Sequence, residues 1–345
     1  MAGTVRLDAP PPLRWDGAAL HVLDQTRLPG AEEVLTLTGA DEVADAIRRL
    51  AVRGAPLIGV AAGYGLAMEV ARTPTAEALD RAAALLSGAR PTARNLGWAV
   101  ERVAAAARAA PERMAAAARE AAEAIQREDE AASAALARAG AEVLETAMPA
   151  GPVTVMTHCN SGALAASGRG TGLGVIAELA DRRPVEVLAC EARPLLQGAR
   201  LTVYELRRLG IPHALLVDAA APGLLRSGAV HAVVTGFDRV AANGDVANKV
   251  GTYGLALAAG AAGIPFVAAG PSSSVDLRLR SGDEIEIEER AADEVRSAGG
   301  ALLTLEGTAC RNPAFDVTPA DLVSALVTER GVARPVNADT VARVA

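Results

Sequence analysis

Two hydrophobic periods divide the chain near residue 150. Before that point apolar residues recur at helical spacing: segments 41 to 52 (DEVADAIRRLAV), 57 to 72, 76 to 87 and 95 to 109 each predict a helix, and Pro111 restarts a long alanine-rich helix running to about 146. Ahead of them, LRWDGAALHVLDQTRLPG alternates apolar and polar residues around Asp16-Gly17, the pattern of a small hairpin. After AMPAGP at 147 to 152 the period shortens. The runs VTVMT (153 to 157), VEVLA (185 to 189), HALLV (213 to 217), HAVVT (231 to 235) and PFVAA (265 to 269) alternate with helical segments, which predicts a parallel sheet in an α/β domain.

Composition changes this picture little. With 345 residues, two domains are expected. Alanine inflates the 51% hydrophobic fraction, only 2% of residues are aromatic, and no apolar run approaches the roughly 20 residues that span a bilayer. The opening MAGTVRLDAPPPLRWDG has no apolar core behind a basic start, so no signal or transit peptide is expected and the cytoplasm is the expected location. A formal net charge of -7 without a long basic run argues against nucleic acid or an anionic membrane as partner. Cys159, Cys190 and Cys310 are odd in number and widely spaced, which fits reduced thiols. His21, His158, His213 and His231 never fall in HxxH or HExxH spacing and no CxxC occurs, so a metal would have to be assembled mainly from carboxylates, and chemistry without metal or cofactor is expected.

In parallel α/β sheets ligands sit beyond the carboxyl ends of the strands. The residues there are unusually polar: His158-Cys159-Asn160-Ser161, Glu191 and Arg193, Asp218, Asp238-Arg239, and Pro271-Ser272-Ser273. Cys159 is either a small buried apolar residue or an activated thiol, and Asp238 either a loop carboxylate paired with Arg239 or a shielded general acid beside Phe237. GRGTGLG at 168 to 174 satisfies the dinucleotide fingerprint on paper, yet some fourteen residues separate Gly172 from the strand it would have to leave directly. The loop is better read as one that lets backbone approach a ligand or another strand, which leaves nicotinamide binding as a rival. RGAPLIG at 53 to 59 and RPTARNLGW at 90 to 98 each place an arginine before a proline-led helix start, which is either an ordinary capped helix with a surface arginine or a phosphate site, and the occurrence of two in one small domain points to anion binding. Lys249 is the sole lysine of the chain, and KVGTYGLALAA is expected to be a helix beginning at it.

Taken together, LRW, LDQTRLP, RGAPLIGVAAGYGLA, RPTARNLGWA, THCNSGALA, GTGLGVI, EARPLLQGARLTVYEL, TGFDRVAANGDVANKVGTYGLA, SGDEIEIEER and NPAFDVTP resemble, nearly end to end, the methylthioribose-1-phosphate isomerases of methionine salvage. Relatives of that family include ribose-1,5-bisphosphate isomerases, isomerases of related deoxypentose phosphates and noncatalytic regulatory subunits of a eukaryotic translation initiation factor. Cys159 and Asp238 match the isomerases' catalytic cysteine and aspartate. The resemblance implies substrate contacts from Arg53, Gly54, Ala55, Arg90, Gln197, Asn248 and Lys249. It also implies a mainly helical domain over 1 to 126, a connecting helix over 127 to 148, a Rossmann-like catalytic domain over 149 to 345, and a homodimer. Phe237, Arg94 and the EARP sequence depart from the family's usual residues, which bears on the 5-substituent accepted.

Such a substrate is an aldose phosphorylated on its anomeric oxygen, so ring opening needs an acid, for which Asp238 is the candidate. Hydrogen then moves from C2 to C1 by proton transfer or by hydride shift, with Cys159 as the base in one route and a stabiliser of the transition state in the other. An oxidoreductase and a noncatalytic subunit are the rival classes.

Overall fold

The computed structural model describes residues 11–90 and 94–345, so Pro91 and Thr92 of the second arginine-led motif lie outside the described residues. The amino-terminal part opens with an antiparallel sheet of β1 (Leu13–Trp15), β2 (Leu20–Leu23) and β3 (Val34–Leu37), in which Trp15 pairs with Leu20 across the Asp16-Gly17 turn. The expected hairpin thus gains a third strand. Helices α1 (Ala40–Arg48), α2 (Ala55–Arg72), α3 (Ala76–Ser87), α4 (Arg94–Ala109) and α5 (Met114–Ala147) follow. Helix α1 stops four residues short of the sequence expectation, because Leu50 adopts a left-handed backbone (φ 64°) that ends helical hydrogen bonding. Helix α2 begins two residues early, with Pro56 in its first turn, where a missing N–H costs nothing.

The carboxyl-terminal part alternates strands and helices: β4 (Val153–Thr157), α6 (Gly172–Arg182), β5 (Val185–Cys190), α7 (Val203–Arg208), β6 (His213–Leu216), α8 (Ala221–Arg226) and β7 (Ala232–Thr235). It continues through β8 (Arg239–Ala241), β9 (Val246–Lys249), α9 (Thr252–Ala261), β10 (Phe266–Ala269), β11 (Val275–Asp276), α10 (Asp293–Arg296), β12 (Ser297–Ala298), β13 (Ala301–Leu302), β14 (Phe315–Thr318), β15 (Ala325–Thr328), β16 (Gly331–Ala333) and α11 (Ala338–Val344). The main sheet has the order β16-β15-β10-β7-β4-β5-β6, parallel except for the β15–β16 hairpin. All five strand runs expected from sequence lie in it. Strand β15 was missed because ALVT is too short to show a period.

Both faces of this sheet are covered, which is why its strands read as continuous apolar runs. Alternate residues of β7 face opposite cores: Ala232 and Val234 join a cluster with Leu136 and Leu144 of α5 and Val175 and Ile176 of α6, while Val233 joins one with Leu225 of α8, Leu255 of α9 and Val341 of α11. Helix α5 serves two cores. Its first half (Met114, Ala118, Ala122, Ile125) packs with the helical cluster of α1 to α4, and its second half packs on the sheet. Among the described residues no helix is long and apolar enough to cross a membrane.

Two expectations at the site need correction or refinement. Lys249 does not start a helix: it ends β9, which pairs with β8 and β14 in a small separate sheet, and α9 begins at Thr252 after the left-handed Gly251. The VANK segment alternates too briefly to show this. The glycine-rich loop brings backbone against backbone, since a Cβ on Gly172 would lie 2.6 Å from the carbonyl carbon of Thr235, at the end of β7.

Candidate active site

The strand order reverses between β4 and β7. From β4 the chain adds β5 and β6 on one side, and β7, β10 and β15 extend the other, which makes the gap beyond these two strand ends the topological switch point of the sheet. Cys159 follows β4 and Asp238 follows β7, so the two candidates flank that gap. An open cleft lies there. It is lined by Arg53, Gly54, Ala55, Arg90, Cys159, Gln197, Asp238, Asn248 and Lys249. All nine residues named as catalytic or substrate-binding therefore reach one cavity, although they come from both parts of the chain, whereas Glu191, Arg193, Asp218, Ser272 and Ser273 at the other strand ends do not line it.

The helical part supplies the start of α2 and the end of the turn after α3. Gly54 has φ 95° and a Cβ there would lie 2.4 Å from the carbonyl oxygen of Ala165, so only glycine fits. No side chain caps α2, which leaves its first amides available to an anion in the cleft. Arg53 stands beside them and spends two of its N–H groups on Asn160, on the side-chain oxygen and on the carbonyl at 2.7 Å. Arg90 donates to Glu288 at 3.0 Å, and Arg290 donates to the same carboxylate at 2.8 Å. Arg90 Nε and Gln197 Oε1 are buried with no hydrogen-bond partner among the described residues. Leaving such groups unpaired is costly, so both are suited to receive a polar ligand.

Strand β9 supplies the remaining contacts. Lys249 is 9% exposed, donates to the carbonyl of Ala314 at 2.7 Å and lies 4.7 Å from the centre of the Phe315 ring. Burial pushes its ammonium below the ordinary lysine range, with Arg90 and Arg53 adding to the effect while Cys159 and Asp238 oppose it. Asn248 donates to Thr252 Oγ1 at 3.0 Å, leaving its side-chain oxygen free of intramolecular bonds among the described residues.

Asp238 is held by its backbone N–H, which donates to Ala247 at 2.9 Å. Burial raises its carboxyl above the ordinary aspartate range, against the pull of Lys249, Arg90 and Arg53. Phe237 is the apolar neighbour expected from sequence, and it packs so closely on Gly270 that a Cβ there would lie 2.7 Å from the ring. Burial likewise raises the Cys159 thiol, opposed by Arg53 and Lys249. Cys159 has a left-handed backbone (φ 64°), a conformation that costs a non-glycine residue about 1–2 kcal/mol.

The described residues that could hold a metal are His158, Cys190 and Asp218, whose donor atoms all lie within 4.8 Å of one another. The expectation that a metal would need mainly carboxylates is corrected here. Spacing rules could not find a set drawn from three different strand ends. His158 lines the cleft beside Cys159, whereas Cys190 and Asp218 do not, and burial holds the Cys190 thiol up at about 12.

Residues 51–335 match the model of the initiation factor 2 subunit family. Curated relatives include the methylthioribose-1-phosphate isomerase of Anaeromyxobacter sp. (strain K), 50% identical over 97% of each chain, and that of Xanthomonas oryzae pv. oryzae (strain MAFF 311018), 47% identical over 95% of this chain and 93% of the relative. Among solved structures, 5-methylthioribose 1-phosphate isomerase from Pyrococcus horikoshii OT3 superposes with a TM-score of 0.88 at 36% identity, covering 98% of this chain and 96% of that one. The translation initiation factor eIF-2B subunit delta from A. fulgidus superposes with a TM-score of 0.83, also at 36% identity, covering 96% and 98%. With half its residues shared along nearly its whole length, the chain belongs to the methylthioribose-1-phosphate isomerases, within the initiation factor 2 subunit family.

Proposed function

We propose that the cleft converts S-methyl-5-thio-α-D-ribose 1-phosphate to S-methyl-5-thio-D-ribulose 1-phosphate, an aldose–ketose isomerisation of methionine salvage. The observation that carries this reading is the joining of three cationic side chains and an uncapped helix start to a shielded carboxylate and thiol in one cavity. The cations and amides suit the 1-phosphate. Arg53, the amides of Gly54 and Ala55, Arg90 and Lys249 surround it, while Gln197 and Asn248 meet sugar hydroxyls.

Asp238, whose carboxyl burial raises, donates a proton to the ring oxygen and opens the ring, then relays a proton among the oxygens as the ketose forms. Cys159 acts at the hydrogen that leaves C2. Its raised thiol favours a route in which it stays protonated and stabilises the transition state while hydride moves to C1. Complete retention of the C2 hydrogen in the product supports that route, once a shielded base returning the same proton is excluded, and solvent deuterium at C1 supports proton transfer instead.

The A. fulgidus structure carries an initiation-factor description at 36% identity, so the fold serves both names. The assay that separates them uses methylthioribose 1-phosphate with no added cofactor and follows ketose formation. Turnover there supports the isomerase. Inactivity with this sugar but turnover of 5-deoxyribose 1-phosphate or ribose 1,5-bisphosphate overturns the substrate assignment, and inactivity with all three overturns the enzyme. Lys249→Arg is expected to raise KM at least several-fold, because a planar fork cannot replace a compact ammonium between Ala314, Phe315 and the substrate. Unchanged KM and kcat would remove Lys249 from the site.

The same reading makes the protein a cytoplasmic homodimer acting without metal or cofactor, with no nucleic acid partner. Edge strand β6 exposes Leu215, and Val217 just beyond it is 59% exposed, an apolar border suited to a second copy. A monomer mass by light scattering would overturn the dimer. We also retain the division into 1 to 126, 127 to 148 and 149 to 345, supported by the change of core along α5 between Ile125 and Leu136.

A further inference from the structure

The segment HCNSG that carries Cys159 is wrapped around a buried carboxylate contributed from elsewhere in the chain. Glu205 on α7 is 7% exposed. Its Oε2 accepts a hydrogen bond from Asn160 Nδ2, and its Oε1 accepts one from the backbone N–H of Leu164 at 3.1 Å. The backbone of Ala163 also donates to it. A Cβ on Gly162 would lie 2.5 Å from the carboxylate oxygens, so the loop closes over them only because residue 162 has no side chain. One turn earlier, Thr202 Oγ1 donates to the carbonyl of Cys159 at 2.6 Å and accepts from Asn160 Nδ2 at 3.2 Å.

All of Glu205's bonds are accepted ones, as an ionised carboxylate requires, although burial pushes its carboxyl above the ordinary glutamate range. A buried charge persists only where it is paired and hydrogen-bonded. Arg53 is the cation that opposes this shift, and it meets Glu205 through one intermediary, since Asn160 presents its amide nitrogen to Glu205 and its oxygen to Arg53. The orientation of the Asn160 amide is therefore set at both ends. With Asn160 flipped, its oxygen would face a carboxylate and its NH2 a guanidinium.

We propose that Glu205 is a positioning residue for the isomerisation, whose charge fixes Asn160 and through it the Arg53 guanidinium and the turn that presents Cys159. This rests on the isomerase reading above. Glu205 does not line the cleft and touches no substrate. Its effect reaches the phosphate through Arg53 and the reacting carbons through Cys159, whose left-handed backbone needs an external hold on its carbonyl.

The test is a polarity swap. Glu205→Gln places an NH2 against either Asn160 Nδ2 or the Leu164 N–H, a donor facing a donor, and is expected to raise KM at least about tenfold and to lower kcat. Asn160→Asp alone sets a second carboxylate against Glu205 and is expected to fail similarly. Combining Glu205→Gln with Asn160→Asp moves the negative charge one position along the chain of bonds. The amide now at position 205 donates to the carboxylate now at position 160, which still accepts from Arg53, and KM is expected to return to within a few-fold of wild type. A structural role without positioning predicts lowered Tm with unchanged KM in folded protein, and additive losses in the double variant; either result overturns the proposal. If Glu205→Gln does not fold, Asn160→Ala keeps the carboxylate bonded to Leu164 and Ala163, cuts its reach to Arg53, and carries the same expected rise in KM. Wild type that fails to turn over any of the three sugar phosphates overturns the isomerase reading, whereas active wild type with unaffected variants overturns only the role of Glu205.

Discussion

Replacing Asp238 with Asn is expected to lower kcat by about 10²–10⁴-fold, the usual span of one acid–base group, while leaving Tm and ligand affinity close to wild type. Asparagine keeps the shape of the side chain, and the backbone bond from residue 238 to Ala247 is untouched. What disappears is the proton. Among the described residues no other carboxylate offers a shielded acid for ring opening: Glu286 also lines the cleft but is exposed, and Glu288 is engaged by Arg90 and Arg290 and held below the ordinary glutamate range. Near-normal turnover in this variant would end the assignment of Asp238.

The pH profile gives a second reading of the same group. Burial raises Asp238, so the competent protonated form survives above the ordinary aspartate range and is lost as pH rises through the raised value. The rate is therefore expected to fall on the alkaline side. Lys249 opposes the upward shift, so Lys249→Met is expected to move that fall to higher pH in kcat. A fall that stays at the same pH would show that another group sets it.

Replacing Cys159 with Ala is expected to reduce kcat about as severely, with KM within a few-fold of wild type. The distinction from Asp238 comes from Cys159→Ser. A serine hydroxyl still donates a hydrogen bond but is a far poorer base at neutral pH, so substantial activity in Cys159→Ser supports stabilisation by a neutral donor, and its loss together with solvent deuterium in the wild-type product supports proton abstraction. Because residue 159 sits at φ 64° with its carbonyl held by Thr202, either substitution keeps the backbone strain and its restraint, which isolates the sulfur. A Cys159→Ala enzyme with wild-type kcat would return Cys159 to a packing role.

The cleft's electrostatics follow from one physical circumstance. Asp238 and Cys159 are raised, and Lys249 is lowered, by the same burial, while each lies in the field of the others. Desolvation moves every one of these groups toward its neutral form. Arriving phosphate reverses part of this by adding negative charge beside Lys249, Arg53 and Arg90. Binding is thus expected to strengthen the ammonium and to keep Asp238 protonated at the moment the ring must open.

Local pattern was enough for the two hydrophobic periods, the helices α2 to α5 to within a few residues, five of the seven main-sheet strands, and part of the cleft lining. Arg53, Gly54, Cys159 and Asp238 were legible in local motifs, ahead of a proline-led helix start, two residues after VTVMT and shortly after HAVVT, whereas Gln197 and Asn248 came only from the family resemblance. Strand ends in a parallel sheet point to one edge, so the convergence of Cys159 and Asp238 needs no long-range information, whereas the arrival of Arg53 and Arg90 from the helical part does. The tertiary structure alone decided what depends on partners distant in the chain. Lys249 lies in a strand because β14, some seventy residues later, pairs with β9, and no window around VANK contains that partner. Nothing in the local sequence singles out Glu205, and only the packing of α7 against the loop after β4 buries its charge beneath Asn160. The strand of opposite direction at the sheet's edge, the shared helix α5 and the His158, Cys190 and Asp218 group belong to the same class. Hydrophobic period and turn chemistry act within a few residues, whereas burial of a charge and pairing of a short strand are settled by whatever the fold brings alongside.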